Sequence, residues 1–218
     1  MSDRLERLRS AHLYLVCDAC PDGFLHAALR GGVDVIQLRM KDSCDEQIVA
    51  AARRFRTACR AHGALFILND RPDLVEPAQA DGVHVGQDDM PVAQARALVG
   101  PERIVGLSTH TREQIDDAAG RAPDYIGVGP VHETPTKPGR PAVGVELVRY
   151  AASRTELPFF AIGGIGVQNV AAVRSAGAVR IAVVRALTEA SDPELVAGRL
   201  RAAVAGPPVE RQATVGPA

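Results

Sequence analysis

The sequence lacks an excess of charge of either sign. It contains 25 lysine and arginine residues and 26 aspartate and glutamate residues, which gives a formal net charge of −1. A protein whose general partner is nucleic acid or an anionic membrane usually carries a surplus of basic residues, so we expect neither partner. Any site that binds an anion must then depend on a local group of residues and not on the net charge of the protein. The sequence also lacks an apolar run approaching ~18 residues, and its charged start, MSDRLERLRS, is unlike a signal peptide. These absences predict a soluble cytoplasmic protein.

A second cysteine pair is also missing. Cys17 and Cys20 form a C-x-x-C motif, but Cys44 and Cys59 stand apart from each other. Such a motif can be redox-active or can supply half of a zinc site, and a zinc site would need a matching pair. Cys17 also ends an apolar run, and free cysteine is commonly buried. We therefore expect a structural role for Cys17 and no zinc site.

The sequence does contain a regular alternation of short apolar runs with amphipathic stretches. Eight runs are rich in β-branched residues, and a stretch with helical spacing follows each of them. The runs are continuously apolar, as expected for parallel strands that are buried on both faces. We predict strands at residues 12–18, 33–40, 64–70, 81–87, 103–109, 124–130, 158–164 and 179–186.

Eight strand–helix units in roughly 200 residues are close to the minimum for a (β/α)8 TIM barrel, which is the predicted α/β fold. An open doubly wound sheet is the alternative. Its G-x-G-x-x-G fingerprint should follow the first strand, where the sequence reads CDACPDG. We expect a single catalytic domain over residues 1–206. Residues 207–218 lack hydrophobic periodicity and are expected to form a disordered tail.

Polar residues collect where the predicted strands end. In a TIM barrel the active site lies at the carboxyl ends of the strands, so these positions are candidates for function. Charged and amide residues are nearly absent earlier in the same strands, which makes solvation alone a poor explanation. The candidates are Gln37, Arg39, Lys41, Asn69, Asp70, Asp88, Asp89, Ser108, Thr109, His110, Gly163, Gly164 and Arg185.

Gln37, Arg39 and Lys41 alternate along the second strand, so their side chains point to one side. They could form a solvated strand end. Together, however, they offer an amide, a guanidinium and an ammonium group to one acceptor. A diphosphate suits all three donors, because charge-assisted hydrogen bonds add about 1.5–3 kcal/mol each.

Asp70 and Asp89 end two neighbouring predicted strands. Oxygen atoms are the ligands that Mg²⁺ prefers, and protein-bound Mg²⁺ commonly bridges phosphate groups. The alternative role for each residue is to cap the helix that follows it. Beside a set of groups suited to diphosphate, the pair favours a site for Mg²⁺.

Gly163 and Gly164 follow the seventh strand, and Arg185 ends the eighth. The loops after these strands of a TIM barrel commonly bind phosphate through backbone N–H groups, and glycine lets the anion approach. A tight turn is the alternative explanation for the two glycines. His110 could be a general acid or base, or an ordinary loop histidine, whereas His84 is expected to be structural.

A proline-rich loop follows the sixth strand. The stretch GPVHETPTKPGRPAVG, residues 129–144, contains Thr134, Thr136 and Lys137. Hydroxyl groups and a cation in a loop of restricted flexibility suit a ligand that carries phosphate. Because the loop emerges between the acidic and basic cluster and the two glycines, we predict two anionic groups in one barrel mouth, one of them bound to metal.

Taken in order, these motifs resemble the thiamine phosphate synthase (thiamine-phosphate pyrophosphorylase) family. The resemblance implies a TIM barrel that joins hydroxymethylpyrimidine diphosphate to a thiazole phosphate, giving thiamine phosphate and pyrophosphate. These two small phosphorylated heterocycles are the partners it implies. The resemblance covers about residues 12–205. The motifs that carry it are QLRMK (37–41), ND (69–70), GVHVGQDD (82–89), GLSTH (106–110), GPVHETPTK (129–137), AIGGI (161–165) and VVRALTEASDP (183–193).

The resemblance also implies roles for individual residues. One Mg²⁺ per site would be bound by Asp70 and Asp89, and the catalytic residues would be Lys137, Arg39 and Ser108. The pyrimidine diphosphate would be held by Gln37, Leu38, Arg39, Met40, Lys41, Asn69, Ser108 and Lys137, and the thiazole phosphate by Thr134, Thr136, Gly164, Val184 and Arg185.

The resemblance also implies that the reaction is dissociative. Diphosphate departs first, a pyrimidine-methyl cation stabilised by its amino group forms, and the thiazole nitrogen attacks it. No strong general base is required. The enzyme stabilises charge on the leaving group, here with Mg²⁺, Arg39 and Lys137, and it excludes water.

Two residues depart from the family's pattern. Arg185 stands where serine is common, and Met40 stands where an acidic residue is common. A backbone contact at position 185 would survive the first change, and the guanidinium is able to pair with phosphate instead. The side chain of Met40 should point away from the ligand, because it alternates with Arg39 and Lys41.

Two other functions compete with the synthase. A thiazole tautomerase, an isomerase on the same fold, would need one phosphate site and no metal pair, so the intact GQDD favours the synthase. A non-catalytic barrel that senses thiamine precursors could lose Lys137 or Asp89 without penalty, and both are present. We therefore expect the synthase.

Overall fold

Eight parallel strands form a closed barrel in the computed structural model, which describes residues 3–134 and 141–206. The strands pair in sequence order, and the last one pairs with the first. This confirms the predicted TIM barrel, and each strand lies within its predicted range. The strands are β1 (Leu13–Cys17), β2 (Val35–Leu38), β3 (Leu65–Asn69), β4 (Gly82–Val85), β5 (Ile104–Thr109), β6 (Tyr125–Val128), β7 (Phe159–Ile162) and β8 (Ile181–Val183).

Helices connect the strands and surround the barrel. A 3-10 turn, Pro72–Leu74, precedes the fourth helix. None of the helices within the described ranges is long and apolar enough to cross a membrane. The helices are α1 (Asp3–Ser10), α2 (Asp22–Arg30), α3 (Asp45–His62), α4 (Val75–Ala78), α5 (Val92–Val99), α6 (Arg112–Arg121), α7 (Gly144–Arg154), α8 (Val170–Ser175), α9 (Arg185–Thr188) and α10 (Pro193–Ala205).

Both faces of the strands are buried, which explains their continuous apolar sequences. Alternate residues such as Ile36 and Leu38 point outward and pack beneath the helices. The residues between them point into the barrel. There the rings of Tyr14 and Tyr125 pack edge-on against Phe160, with centroid distances of 5.2 and 5.6 Å. The aromatic side chains therefore fill the centre of the barrel.

Helix α1, which the sequence analysis did not predict, precedes the first strand. Its Leu8 is buried with Ala11 in the interior cluster, alongside Leu65 and Ile104 from the first residues of β3 and β5. These residues lie at the amino ends of their strands. Helix α1 therefore closes the amino-terminal end of the barrel, opposite the end that carries the polar candidates.

The ends of the long helices follow from local sequence. Asp192 accepts a hydrogen bond from the backbone N–H of Leu195, and Pro193 occupies the first turn of α10. Gly63 ends α3 with φ of 69°, a left-handed conformation that glycine adopts without steric cost. These signals define where α10 begins and where α3 ends before β3.

Gly106 of β5 is required by close packing. A Cβ atom at this position would lie within 2.2 to 2.5 Å of the ring and hydroxyl of Tyr125. The side chain of Tyr125 occupies the space that any other residue at position 106 would need. This glycine therefore allows a large polar ring to lie inside the barrel.

Candidate active site

A cavity of about 500 Å³ opens at the carboxyl ends of the strands. Its position agrees with the rule that TIM barrels place their active sites at this end. Most of the predicted site residues line it together. They are Gln37, Arg39, Lys41, Asn69, Asp70, Asp89, Ser108, His110, Thr134, Gly163, Gly164, Val184 and Arg185.

Four predicted residues within the described ranges do not line the cavity: Leu38, Met40, Asp88 and Thr109. Leu38 and Met40 pack in the layer between strands and helices, as alternation requires. The prediction that Met40 points away is therefore confirmed, and both residues can offer only backbone groups to a ligand. Thr136 and Lys137 lie outside the described residues.

An acidic and basic cluster spans the ends of β2, β3 and β4. The Nζ of Lys41 lies 3.4 Å from Oδ2 of Asp70, and Nδ2 of Asn69 donates a hydrogen bond of 2.6 Å to the same oxygen. Asp89 accepts a hydrogen bond of 2.8 Å from the backbone N–H of Gly86. The neighbouring strands thus bring one cation and two carboxyl groups together, as their order in the barrel requires.

Asp70 is perturbed by this environment. Burial raises the pKa of its carboxyl group, and the adjacent carboxyl of Asp89 raises that pKa further, while Lys41 opposes both effects. Its backbone is left-handed, with φ of 59°, a conformation that Asp tolerates better than most residues. Strained backbone and a perturbed carboxyl group are both common at functional sites.

The carboxyl pair has the donor chemistry that a hard divalent cation requires. Asp70 and Asp89 offer oxygen ligands, and two carboxylates in contact repel each other unless a proton or a cation lies with them. Within residues 3–134 and 141–206, no three histidine, cysteine, aspartate or glutamate side chains are grouped as a metal site. A cation bound here would therefore keep several waters or take oxygens from a ligand.

The opposite side of the barrel carries the two glycines. Gly163 and Gly164 have φ of 109° and 61°, and a Cβ atom on either would lie 2.5 to 2.7 Å from Pro130 or His132. Both positions therefore require glycine. The backbone lines the cavity wall at these two residues without a side chain between it and a ligand.

Arg185 was predicted to end the eighth strand, and this prediction was wrong. Strand β8 ends at Val183, and Arg185 begins the short helix α9. Its guanidinium is half exposed at the rim of the cavity, where Nη1 lies 4.0 Å from Oε1 of Glu189 one turn later. The strand is shorter than the apolar run, because the backbone turns after Val183.

A chain of four hydrogen bonds crosses the interior beneath the cavity. Nε2 of Gln37 donates to the hydroxyl of Tyr14 at 2.8 Å, and the hydroxyls of Tyr14 and Tyr125 are 2.9 Å apart. The hydroxyl of Tyr125 lies 2.9 Å from Nδ1 of His84, and Nε2 of His84 lies 2.9 Å from Oγ of Ser108. Burial raises the pKa of both tyrosines, so each keeps its hydroxyl hydrogen.

His84, Tyr14 and Tyr125 were not among the predicted site residues, yet all three line the cavity. His84 was expected to be structural, and its bond to Ser108 joins it directly to the site. The signal that could have found them is the alternation of side chains along a strand. Each of the three lies an even number of residues from another inward-facing position on its own strand, so its side chain also points into the barrel. Polar side chains that point into a barrel have one another as hydrogen-bond partners.

Gln87 is a further residue that the sequence analysis did not select. Its Nε2 donates to the backbone carbonyl of Ser108 at 2.6 Å, and Arg121 donates to its Oε1 at 3.0 Å. His110 has Nδ1 at 2.5 Å from the carbonyl oxygen of Gly129. Both contacts join consecutive strand ends and fix the backbone on either side of Ser108.

Comparisons with known proteins give a consistent answer. The family model described as thiamine monophosphate synthase matches residues 13–187. A thiamine-phosphate synthase of Acidothermus cellulolyticus is 47% identical over 205 residues, which cover 91% of this chain and 97% of that protein. A thiamine-phosphate synthase of Nostoc sp. is 48% identical over 195 residues, which cover 88% of this chain and 56% of that protein. The chain thus spans little more than half the length of this second relative.

Solved structures agree with the sequence matches. A thiamine phosphate pyrophosphorylase from Pyrococcus furiosus superposes with a TM-score of 0.82 at 30% identity, covering 91% of this chain and 97% of that one. A 3-hexulose-6-phosphate synthase, 20% identical with a TM-score of 0.65, covers 89% of this chain and 100% of that one. The second likeness concerns the fold alone.

Proposed function

Since the chain belongs to the thiamine monophosphate synthase family, we propose that it joins hydroxymethylpyrimidine diphosphate to a thiazole phosphate, releasing thiamine phosphate and pyrophosphate. One observation carries the proposal beyond family membership. The cavity has a cationic and acidic cluster at β2 to β4 and a glycine-lined wall at β7 and β8, on opposite sides of the barrel. Two phosphorylated compounds joined at their heterocycles need two such anion sites facing each other.

The pyrimidine diphosphate is assigned to the cluster side. Gln37 projects into the cavity from β2, Arg39 and Lys41 line it from the segment that follows this strand, and Asn69 lines it from the end of β3. When the bond from the methylene carbon to oxygen breaks, its electron pair leaves with the diphosphate. Arg39 and Lys41 stabilise that negative charge, and Lys137 is assigned the same role from the sequence.

Asp70 and Asp89 are the residues that would hold Mg²⁺. Their oxygen donors, their contact and the raised pKa of Asp70 suit a divalent cation. When bound, the ion supplies positive charge to neutralise the diphosphate. The chain's own contribution here is to hold two carboxyl groups at the ends of adjacent strands, with Lys41 beside them.

The thiazole phosphate is assigned to the opposite wall. Gly164, Val184 and Arg185 offer backbone N–H groups there, and Thr134 offers a hydroxyl; Thr136 is assigned from the sequence. The thiazole nitrogen attacks through its own lone pair, and no proton has to be removed from it. The chain's task is therefore to orient the two rings and exclude water.

The proposal is tested by mixing the purified protein, Mg²⁺ and both phosphorylated heterocycles and measuring thiamine phosphate by mass spectrometry. We expect product when all components are present and none when either heterocycle or the metal is omitted. A protein that isomerises a thiazole phosphate alone, or binds both compounds without joining them, would refute the synthase. A cytoplasmic location stays a prediction from the sequence.

A further inference from the structure

The hydrogen-bond chain between Gln37 and Ser108 has a direction that its donors and acceptors determine. We propose that His84 is a positioning residue, neutral and protonated on Nε2, that turns the hydroxyl hydrogen of Ser108 toward the substrate cavity. This inference rests on the proposed function, because the group that receives this hydrogen belongs to the pyrimidine diphosphate.

The direction is set at the Gln37 end. An amide nitrogen donates hydrogen bonds and does not accept them, so the oxygen of Tyr14 is the acceptor in this contact. Among the described residues, the remaining partner for the hydroxyl hydrogen of Tyr14 is the oxygen of Tyr125, 2.9 Å away. Because Tyr14 is fully buried, directing that hydrogen elsewhere would leave it unsatisfied at a considerable cost.

The same reasoning fixes the tautomer of His84. Tyr125 receives the hydrogen of Tyr14, so its own hydrogen goes to its other partner, Nδ1 of His84. An Nδ1 atom that accepts a hydrogen bond carries no proton, and the proton of the neutral ring is then on Nε2. A doubly protonated ring would direct Nδ1–H at Tyr125 and leave a buried hydroxyl hydrogen without an acceptor.

Ser108 lies at the end of the chain. Its Oγ accepts from Nε2–H of His84, so its hydroxyl hydrogen must point to another acceptor. Ser108 lines the cavity and is 8% exposed, which leaves the cavity as the place where that acceptor lies. In the opposite direction, Ser108 would donate to His84 and have no hydrogen to offer to a substrate.

The chain therefore gives its two ends opposite polarity. Gln37 commits its N–H to Tyr14 and presents its amide oxygen as an acceptor, whereas Ser108 presents a donor. Both residues line the cavity. A donor held in a fixed direction needs no reorganisation when negative charge develops on the substrate, which is the condition for effective electrostatic stabilisation.

The tautomer is measured by ¹⁵N NMR of protein labelled at histidine, with the His84→Gln variant used to assign the resonance among the six histidines. In the wild-type protein we expect a neutral ring protonated on Nε2. In Gln37→Glu the carboxylate accepts from Tyr14, the chain reverses, and His84 should carry its proton on Nδ1. A wild-type ring protonated on Nδ1 or on both nitrogens, or an unchanged tautomer in Gln37→Glu, would overturn the inference.

The kinetic test uses Tyr125→Phe, which removes one hydroxyl from the middle of the chain. We expect kcat to fall about 10- to 100-fold, as for loss of a directed hydrogen bond to charge, while KM for the thiazole phosphate stays unchanged. Tyr150→Phe is the matched control, because Tyr150 lies on the surface and bonds to Asp116. Equal kcat values for the two folded variants would contradict the inference.

The inference and the proposed function fail in different ways. Thiamine phosphate formed by a protein whose His84 is protonated on Nδ1 would refute the inference alone. The Nε2 tautomer in a protein that forms no thiamine phosphate would refute the synthase and confirm the direction of the chain. The tautomer itself is read in the wild-type protein, and a variant is needed only to assign its resonance.

Discussion

The ammonium group of Lys41 lies 3.4 Å from Oδ2 of Asp70, which itself contacts the carboxyl group of Asp89. With half of the Lys41 side chain exposed, this ion pair contributes at most about 1 kcal/mol to stability. Its importance lies in charge balance. The charges of Lys41 and Arg39 balance those of two carboxylates at this edge of the cavity, so a bound diphosphate would add negative charge that these residues leave unbalanced. A divalent cation would offset that charge.

Asp89→Asn should therefore weaken the response to Mg²⁺. Removing one of two charged ligands lowers metal affinity, so we expect an increase of about 10-fold or more in the Mg²⁺ concentration for half-maximal rate. A metal titration of thiamine phosphate formation measures this. The control is Asp117→Asn on the exposed face of α6, which should match the wild-type protein. Full activity of wild-type protein in chelator would contradict the assignment of Asp70 and Asp89.

Lys137→Ala should lower kcat about 100-fold or more without unfolding the protein, because a cation that stabilises the leaving group is lost. The chain contains two lysines, Lys41 and Lys137, against 23 arginines, and both lysines belong to the proposed site. Lys137→Arg keeps the charge and should retain more activity than the alanine variant. Steady-state rates and circular dichroism check this, and an alanine variant as fast as the wild type would remove Lys137 from the mechanism.

Gly164→Ala should raise KM for the thiazole phosphate about 10-fold or more. The added methyl group would lie 2.7 Å from Cβ of His132 at a residue with φ of 61°, and it would stand between the anion and the backbone.

Arg185→Ser should change the KM for the thiazole phosphate by less than about 3-fold, because the guanidinium is half exposed and position 185 is assigned to the phosphate through its N–H. A large effect of Arg185→Ser would assign the phosphate contact to the guanidinium.

Gly106→Ala should destabilise the protein by about 1–3 kcal/mol, the usual cost of an overpacked core. The new Cβ atom would overlap the ring of Tyr125. Gly120→Ala is the control: it lies in α6 with no atom within 4 Å of the added group, and should stabilise the helix by up to about 1 kcal/mol. Urea unfolding of both variants measures the difference, and equal stabilities would contradict the packing at Gly106.

The strand ends were predictable from sequence, because residues at fixed positions on parallel strands meet at one edge. The parity of Gln37, Arg39 and Lys41 correctly placed three side chains in the cavity and turned Met40 away. Local patterns of this kind need no knowledge of which strand lies opposite which.

The interior partners could not be predicted in the same way. Tyr14 and Tyr125 are 111 positions apart and meet only when the barrel closes. Helix α1 was missed because its sequence is short and charged. Its few apolar residues are recognisable as a buried face only once they pack against the amino end of the barrel. Arg185 was misplaced because the apolar run continues past the last paired residue of β8.

Leu8 and the aromatic rings of Tyr14, Tyr125 and Phe160 fill the barrel below the cavity, so that, among the described residues, the cavity opens at the carboxyl ends of the strands. Gln37, 4% exposed, lies deep in this space, whereas Arg185 lies at its rim. Lys41 on the other side of the cavity is half exposed as well, so compounds bound on either side would enter and leave past the same strand ends.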